Sequence, residues 1–547
     1  MKLDRRSWLI VAFVSMSCAA PAGVVVLAQE RTVVAVAPST MGKLATVDER
    51  FASYNVEMVE VTGGRFWKPY KSAAGAQAAA PDAKAGGQAG GQANGQVGID
   101  PARFQYRPPI DLSNPRLRKL AAALGPAYVR VSGSWANSTY FQDDDKPALA
   151  EASKGFRGVL TRAEWKGVVG FAQAVDGQIV TSFAISSGTR GADGVWSSAQ
   201  AKAVLDYTKS VGGRIAATEF MNEPTIPGAG GAPAGYDAAA YARDAKLFGA
   251  FLRKESPQTI YLGPGSVGGV VEGAPSGHGM GAGGPAGLGM QVIGTEDILK
   301  GTGPLFDAFS YHFYGSISQR CGGTTTPAKA LSPEWLDFSG AVADYYAKLR
   351  DTYLPGKPLW LTETAEAACG GDPLAGQFVD TFRYVNQLGS LAQRGVVAVM
   401  HNTLASSDYG LLDEETLEPR PDYWAALLWK RSMGKVVLDP GVAKDEKLRI
   451  YAHCSVKGKG GVSLAVLNLD PERDGAMKLP TSAEEFSLTA AGLTSATVIL
   501  NGAEVKAQAD GSVGELKARE VKSGALRLAP LSITFLTMDA AQNKNCM

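Results

Sequence analysis

A chain of 547 residues is too long for one compact core and suits a large domain with a smaller companion. Charged residues make up 20% of it and cancel to a formal +1, so bulk charge gives no ground for a nucleic-acid partner. Only four histidines occur and none forms a His-Glu-x-x-His pattern, which argues against zinc catalysis; no metal or organic cofactor is predicted.

Residues 1–28 read as an export signal. Lys2, Arg5 and Arg6 precede the apolar run from Trp8 to Ala20, and Val26-Leu27-Ala28 offers a small-residue cleavage site before Gln29. Asp4-Arg5-Arg6-Ser7-Trp8-Leu9 also resembles a twin-arginine signal. A retained membrane anchor is the alternative, but no other apolar run is long enough to span a bilayer. The expected destination is periplasmic or secreted, with no stable membrane insertion after cleavage. Such a compartment lets Cys321, Cys369, Cys454 and Cys546 oxidise. Cys321-Gly322-Gly323 and Cys369-Gly370-Gly371 both lie in Gly-rich loops just after strands, which makes Cys321 and Cys369 a possible disulfide that spacing alone does not fix.

Thr32–Val36 and Lys43–Val47 are β-rich and precede any helix. Residues 29–48 are therefore assigned to a sheet outside the main domain. Residues 72–98 are Ala, Gly and Gln with little else; they cannot bury a core and read as a low-complexity insertion. Strand-like runs at Phe51–Glu57, Ala127–Val131, Ile179–Ile185, Ile215–Met221, Thr259–Leu262, Phe306–Phe313, Leu359–Glu363 and Val396–Met400 alternate with helical patterns. Eight such units predict an α/β fold, a closed (β/α)8 TIM barrel over residues 49–434. From about Gly434 onward the runs are β-type with turn residues between them, which predicts a C-terminal antiparallel β-sandwich over 435–547, completed by the early strands. Gly263-Pro264-Gly265-Ser266-Val267-Gly268 fits G-x-G-x-x-G, but Gly-rich coil rather than a helix follows, so no dinucleotide site is assigned; that coil, at 268–289, is expected to wall off the cleft.

Two carboxylates stand out. Glu223, in Asn222-Glu223-Pro224, follows the fourth strand, and Pro224 forces that strand to stop. Glu363 ends the seventh. In a closed barrel the strand ends converge, so the two can face each other as the acid/base and nucleophile of a retaining glycosidase. The bland alternative is a pair of helix-capping acids.

The pattern resembles the retaining barrel glycosidases, and more specifically glycoside hydrolase family 79, the heparanase and β-glucuronidase family. The resemblance is carried by Leu359–Pro373 and Val396–Gly434, including Asp408-Tyr409-Gly410-Leu411-Leu412-Asp413 and Pro421-Asp422-Tyr423-Trp424. Arg116–Leu120, Tyr128–Arg130 and the tail Ala529–Phe535 add to it. It implies Glu223 as acid/base, Glu363 as nucleophile and Asn222 as ligand of the sugar 2-hydroxyl. It also implies that His312 and Tyr314 brace the nucleophile or substrate and that Glu57 binds substrate. Ser134, Asn137, Asn402 and Tyr409 become candidates for the same pocket. One departure is visible: the loop Ala367-Ala368-Cys369-Gly370-Gly371 lacks the tyrosine with which family members hold a uronate carboxylate, leaving the amides of Gly370 and Gly371 as a candidate anion nest. The expected activity is hydrolysis of β-linked glucuronic acid in an oligosaccharide or polysaccharide. A β-glycosidase for a neutral sugar and a non-catalytic carbohydrate-binding protein are the alternatives.

Overall fold

The computed structural model describes residues 33–70, 101–268 and 291–547. The expected export signal, the insertion at 72–98 and nearly all of the Gly-rich coil at 268–289 lie outside the described residues.

Eight parallel strands close into a barrel: β1 (Ala52–Glu57), β2 (Ala127–Ser132), β3 (Gly177–Thr181), β4 (Ile215–Thr218), β5 (Ile260–Ser266), β6 (Ala308–Ile317), β7 (Leu359–Ala368) and β8 (Val396–His401). They pair in chain order, and β8 closes on β1 with Val399 opposite Ala52 and His401 opposite Tyr54. Both faces of these strands are covered, and every residue of β1, β2 and β4 is buried, the polar ones included. Each strand is followed by a helix on the outer ring. Two of the helix starts show the local logic. Asn114 caps Pro115–Ala123 by accepting from the amides of Arg116 and Leu117. Thr161 and Glu164 form a capping box for Arg162–Ala174.

Three sequence expectations change. β5 extends through Gly263-Pro264-Gly265-Ser266, so those glycines belong to the barrel wall rather than to a loop after it. A helix at Thr295–Thr302, too short to stand out by periodicity, follows β5. β7 does not end at Glu363 but runs on to Ala368, which carries the nucleophile candidate inside the strand.

Beside the barrel lie two facing sheets. The larger orders Lys43–Thr46, Met433–Leu438, Leu448–Ser455, Val462–Asn468, Ser532–Met538, Ala483–Thr489, Ile499–Leu500 and Ala503–Glu504, with Arg519–Val521 also against Ala483–Thr489. The smaller holds Val34–Ala35, Gly475–Leu479 and Gly524–Leu528. Pairing is antiparallel except that Val34–Ala35 runs parallel to Gly475–Leu479. Met477, Leu479 and Leu526 from one sheet meet Leu464, Val466 and Leu536 from the other in a dry core. A disulfide joins Cys454 to Cys546, with Cα atoms 5.3 Å apart.

The helix Phe378–Gln393, which follows β7, is sandwiched between barrel and sheets and is buried along nearly its whole length. A Cβ at Gly389 would lie 2.1 Å from the ring of Tyr451, so only glycine admits that ring. Asn386 on the same helix accepts from Arg449 Nη1 at 3.0 Å and from Tyr451 Oη at 2.6 Å. These contacts fix the sheets against the helix that follows the strand carrying Glu363.

Candidate active site

After β4 the chain runs through Glu219 to Asn222-Glu223-Pro224 at the C-terminal mouth of the barrel. Pro224 disfavours a helical conformation at the residue before it. Glu223 sits instead at φ +49°, a conformation that costs roughly 1–3 kcal/mol in a residue with a side chain. The turn is held from both sides. Ile226 N donates to the Glu223 carbonyl at 3.0 Å. Asn137 grips the main chain of Asn222, its Oδ1 accepting from N and its Nδ2 donating to O, both at 2.8 Å.

Glu363 lies opposite His312 of β6, at a register shift between β6 and β7, and a second shift separates β7 from β8 between Leu361 and Thr364. Such irregularities re-aim a side chain, here into the mouth. One donor atom from each of Glu223, His312 and Glu363 lies within 4.8 Å of the other two. Glu223 Oε1 is 3.1 Å from His312 Nδ1. Glu363 accepts at Oε1 from the Tyr314 hydroxyl (2.6 Å) and at Oε2 from Arg130 Nη1 (2.8 Å). Asn402 Nδ2 donates to the hydroxyls of both Tyr314 (3.1 Å) and Tyr409 (3.2 Å).

The two carboxylates are pushed apart in acidity. Burial raises Glu223 above the ordinary carboxylate range, and the Glu363 charge adds to this against the opposing contact from His312. Burial also acts to raise Glu363, but the His312 and Arg130 charges and the Tyr314 hydroxyl together hold it below that range. For His312, burial works downward, and Glu363, Glu219 and Glu223 outweigh it, lifting the imidazole to about 9. Glu57, at the end of β1, is buried and raised well above its usual value, first by burial and then by Glu363.

The remaining predicted residues fall into place unevenly. Asn222 Oδ1 accepts from Arg130 Nη2 at 2.7 Å, and its Nδ2 has no hydrogen-bond acceptor among the described residues. Asn137 does not face the cleft: it is fully buried and both ends of its amide are spent on Asn222, so it positions the turn that carries Glu223 rather than binding distal hydroxyls. Ser134 lines a neighbouring pocket with Trp135, Ser138 and Arg157, apart from the carboxylate cluster. Gly370 and Gly371 take positive φ, and their carbonyls accept from Ser407 Oγ (2.8 Å) and Ser318 Oγ (2.7 Å). A disulfide joins Cys321 to Cys369 (Cα atoms 6.5 Å apart) and ties this loop to the turn after β6. Tyr409, from the loop after β8, packs on Gly371; a Cβ there would lie 3.0 Å from Tyr409 N.

Two site residues escaped the sequence reading, Arg130 on β2 and Glu219 after β4. Arg130 reaches Glu219, Asn222 and Glu363 at once. The available signal was a charge inside a stretch that otherwise reads as wholly buried: Arg130 within Tyr128–Val131, and Glu219 four residues before Glu223. Among the described residues, Glu223, His312 and Glu363 are the one close trio of metal-type donors. The Arg130 guanidinium 2.8 Å from Glu363 would repel a cation there, so the trio does not fit a metal centre.

No protein-family model matches the chain. Among curated proteins it is similar to heparanase-like protein 1 of Arabidopsis thaliana, 31% identical over 287 residues, covering 44% of this chain and 51% of that protein. Baicalin-beta-D-glucuronidase of Scutellaria baicalensis is 35% identical over 186 residues (32% of this chain, 35% of that protein). Inactive heparanase-2 of Homo sapiens is 31% identical over 213 residues (34% and 36%). The matched segments thus span about half or less of these relatives' length. Among solved structures, a 4-O-alpha-L-rhamnosyl-beta-D-glucuronidase from Fusarium oxysporum superposes with TM-score 0.59 at 13% identity, covering 92% of this chain and 99% of that one, which shows a shared fold.

Proposed function

We propose that this chain, a relative of the heparanases and β-glucuronidases of glycoside hydrolase family 79, is a retaining β-glucuronidase. The observation that carries the reading is the Glu223–Glu363 pair: two buried carboxyls within 4.8 Å, one raised and one lowered in acidity. That separation suits double displacement. The Glu223 carboxyl protonates the glycosidic oxygen while Glu363 attacks C1; the C1–O bond breaks and an alcohol leaves. Water then attacks C1 of the glycosyl-enzyme, Glu223 takes its proton, and Glu363 departs as carboxylate. Asn222 Nδ2 is free to hold the 2-hydroxyl as positive charge grows at C1.

We assign to Tyr409 the carboxylate-binding part that the tyrosine-less loop leaves open. Its hydroxyl accepts from Asn402 and donates to no group among the described residues, so its proton is available to a uronate carboxylate beside Gly370 and Gly371. Burial keeps this phenol neutral and able to donate. Glu57 and Asn402 lie side by side and interact through their side chains, and among the described residues Asn402 Oδ1 accepts from no protein donor and suits a sugar hydroxyl beside Glu57. We place the enzyme in an exported compartment; the two disulfides favour that placement. The experiment is a panel of aryl β-glycosides. The glucuronide alone should turn over, and Tyr409→Phe should erode the preference over glucoside. Cleavage of the glucoside in preference would assign a neutral sugar, and binding without turnover would assign a carbohydrate-binding protein.

A further inference from the structure

Behind the catalytic pair sits a third carboxylate that touches no part of the cleft. Glu219 is fully buried. Its Oε1 accepts from Ser310 Oγ of β6 and Thr362 Oγ1 of β7, both at 2.8 Å. Its Oε2 accepts from Arg130 Nη2 at 2.8 Å and Nε at 3.3 Å. Gly265 of β5, at φ +74°, leaves the room for it, since a Cβ there would come within 3.0 Å of Oε1. Tyr241, from the helix after β4, is the remaining titratable neighbour that feels its charge. A charge sealed in this way is costly unless it answers another charge.

The charge it answers is double. Arg130 Nη2 lies 3.2 Å from His312 Nε2. Nη2 carries two protons, and both are spent, on Glu219 Oε2 and Asn222 Oδ1. The approach to His312 is therefore a close packing of guanidinium against imidazole. Glu219 flanks both, with Oε1 3.9 Å from His312 Nε2. The other charges facing His312 are Glu223 at Nδ1 (3.1 Å) and Glu363 (3.7 Å), while Glu57 faces Arg130 and Glu363 from β1.

We infer that Glu219 is a positioning residue, the counter-ion that keeps His312 doubly protonated beside Arg130. The consequence for the reaction rests on the proposed roles of Glu223 and Glu363. A doubly protonated ring can only donate from Nδ1. Glu223 Oε1 must then accept, and the acid proton stays on Oε2, free for the glycosidic oxygen. In the neutral ring protonated at Nε2, Nδ1 would instead accept the proton of Glu223 and withhold it. By stabilising the positive charge of the ring, Glu219 keeps the second proton on Nδ1, where it prevents Nδ1 from taking the proton of Glu223.

The test is 15N imidazole spectroscopy of the wild type, Glu219→Gln and Glu219→Asp between pH 5 and 9.5. His401 and His453, depressed to about 4 chiefly by burial, provide neutral references. His312 should remain cationic through neutrality in the wild type and in Glu219→Asp, and should lose its proton about 2 pH units lower in Glu219→Gln. The kcat/KM profile of Glu219→Gln on an aryl β-glucuronide should bend at the new His312 pKa. A neutral His312 in the wild type at pH 6 overturns the inference without any variant having to fold. So does an unchanged titration in Glu219→Gln, or an Asp variant that titrates like Gln. The spectra need no substrate, so a wild type inert toward glucuronides would refute the proposed activity and leave the role of Glu219 to be decided separately.

Discussion

Tyr314 donates to Glu363 Oε1 at 2.6 Å while its own oxygen accepts from Asn402, so the proposed nucleophile is held by a hydroxyl that is itself oriented. That hydrogen bond is among the influences keeping Glu363 ionised. Removing it in Tyr314→Phe should raise the Glu363 pKa. The acid limb of the kcat/KM profile should then move to higher pH, with a loss of about 10- to 100-fold at its plateau, the cost of one hydrogen bond to a charge. An unmoved acid limb would mean that Glu363 is not the group titrating there.

Glu223→Gln removes the proposed proton donor and keeps the shape. Turnover of glucuronides with poor leaving groups should fall about 10²- to 10⁴-fold, while dinitrophenyl glucuronide, which needs no proton, should be spared in the first step. The basic limb of the pH profile should vanish. Equal losses on both substrates would point to misplacement rather than lost acid catalysis. Glu363→Ala should abolish turnover, with azide restoring part of it as an α-glycosyl azide.

Asn137→Ala leaves the N–H and carbonyl of Asn222 unpaired in a buried place. Thermal or urea unfolding should register a loss of about 1–3 kcal/mol. Activity should fall mainly in kcat, because the turn bearing Glu223 is loosened. A rise in KM alone would return Asn137 to the role of sugar ligand.

The contrast between Asn137 and Glu223 shows what sequence makes legible. The eight-strand frame follows from periodicity, and Pro224 and the alternation place Glu223 at the mouth. Whether an asparagine in the loop after β2 faces sugar or main chain depends on the path of that loop, which residue types do not encode. Arg130 and Glu219 sit in runs that otherwise look like plain buried strand. Their meaning appears only when β2, β4, β6 and β7 converge. The Cys454–Cys546 bond likewise needed the sheets to be assembled, since its two halves are 92 residues apart.

His453 is buried and neutral, its Nδ1 donating to the Gly434 carbonyl at 2.7 Å, and burial lowers its pKa to about 4 from an ordinary 6.5. The unfolded chain binds the extra proton first, so stability is full above pH 6.5 and is lost as pH falls toward 4. The shift corresponds to about 3 kcal/mol. His401 behaves alike, with Nε2 against the Tyr409 carbonyl. Urea midpoints should therefore fall from pH 7 to 4, and less steeply in His453→Gln. Parallel pH slopes for the two proteins would refute this.

The strand Lys43–Thr46 stands nearly 390 residues before its partner Met433–Leu438, yet it forms the edge of the same sheet. The accessory layer is therefore not a cassette that can be clipped off or grafted elsewhere as one contiguous stretch. Any exchange of this layer between relatives, by recombination or by design, must carry two distant pieces of chain together. A hybrid cut only near residue 434 would inherit an exposed sheet edge, and with it a tendency to associate with other chains.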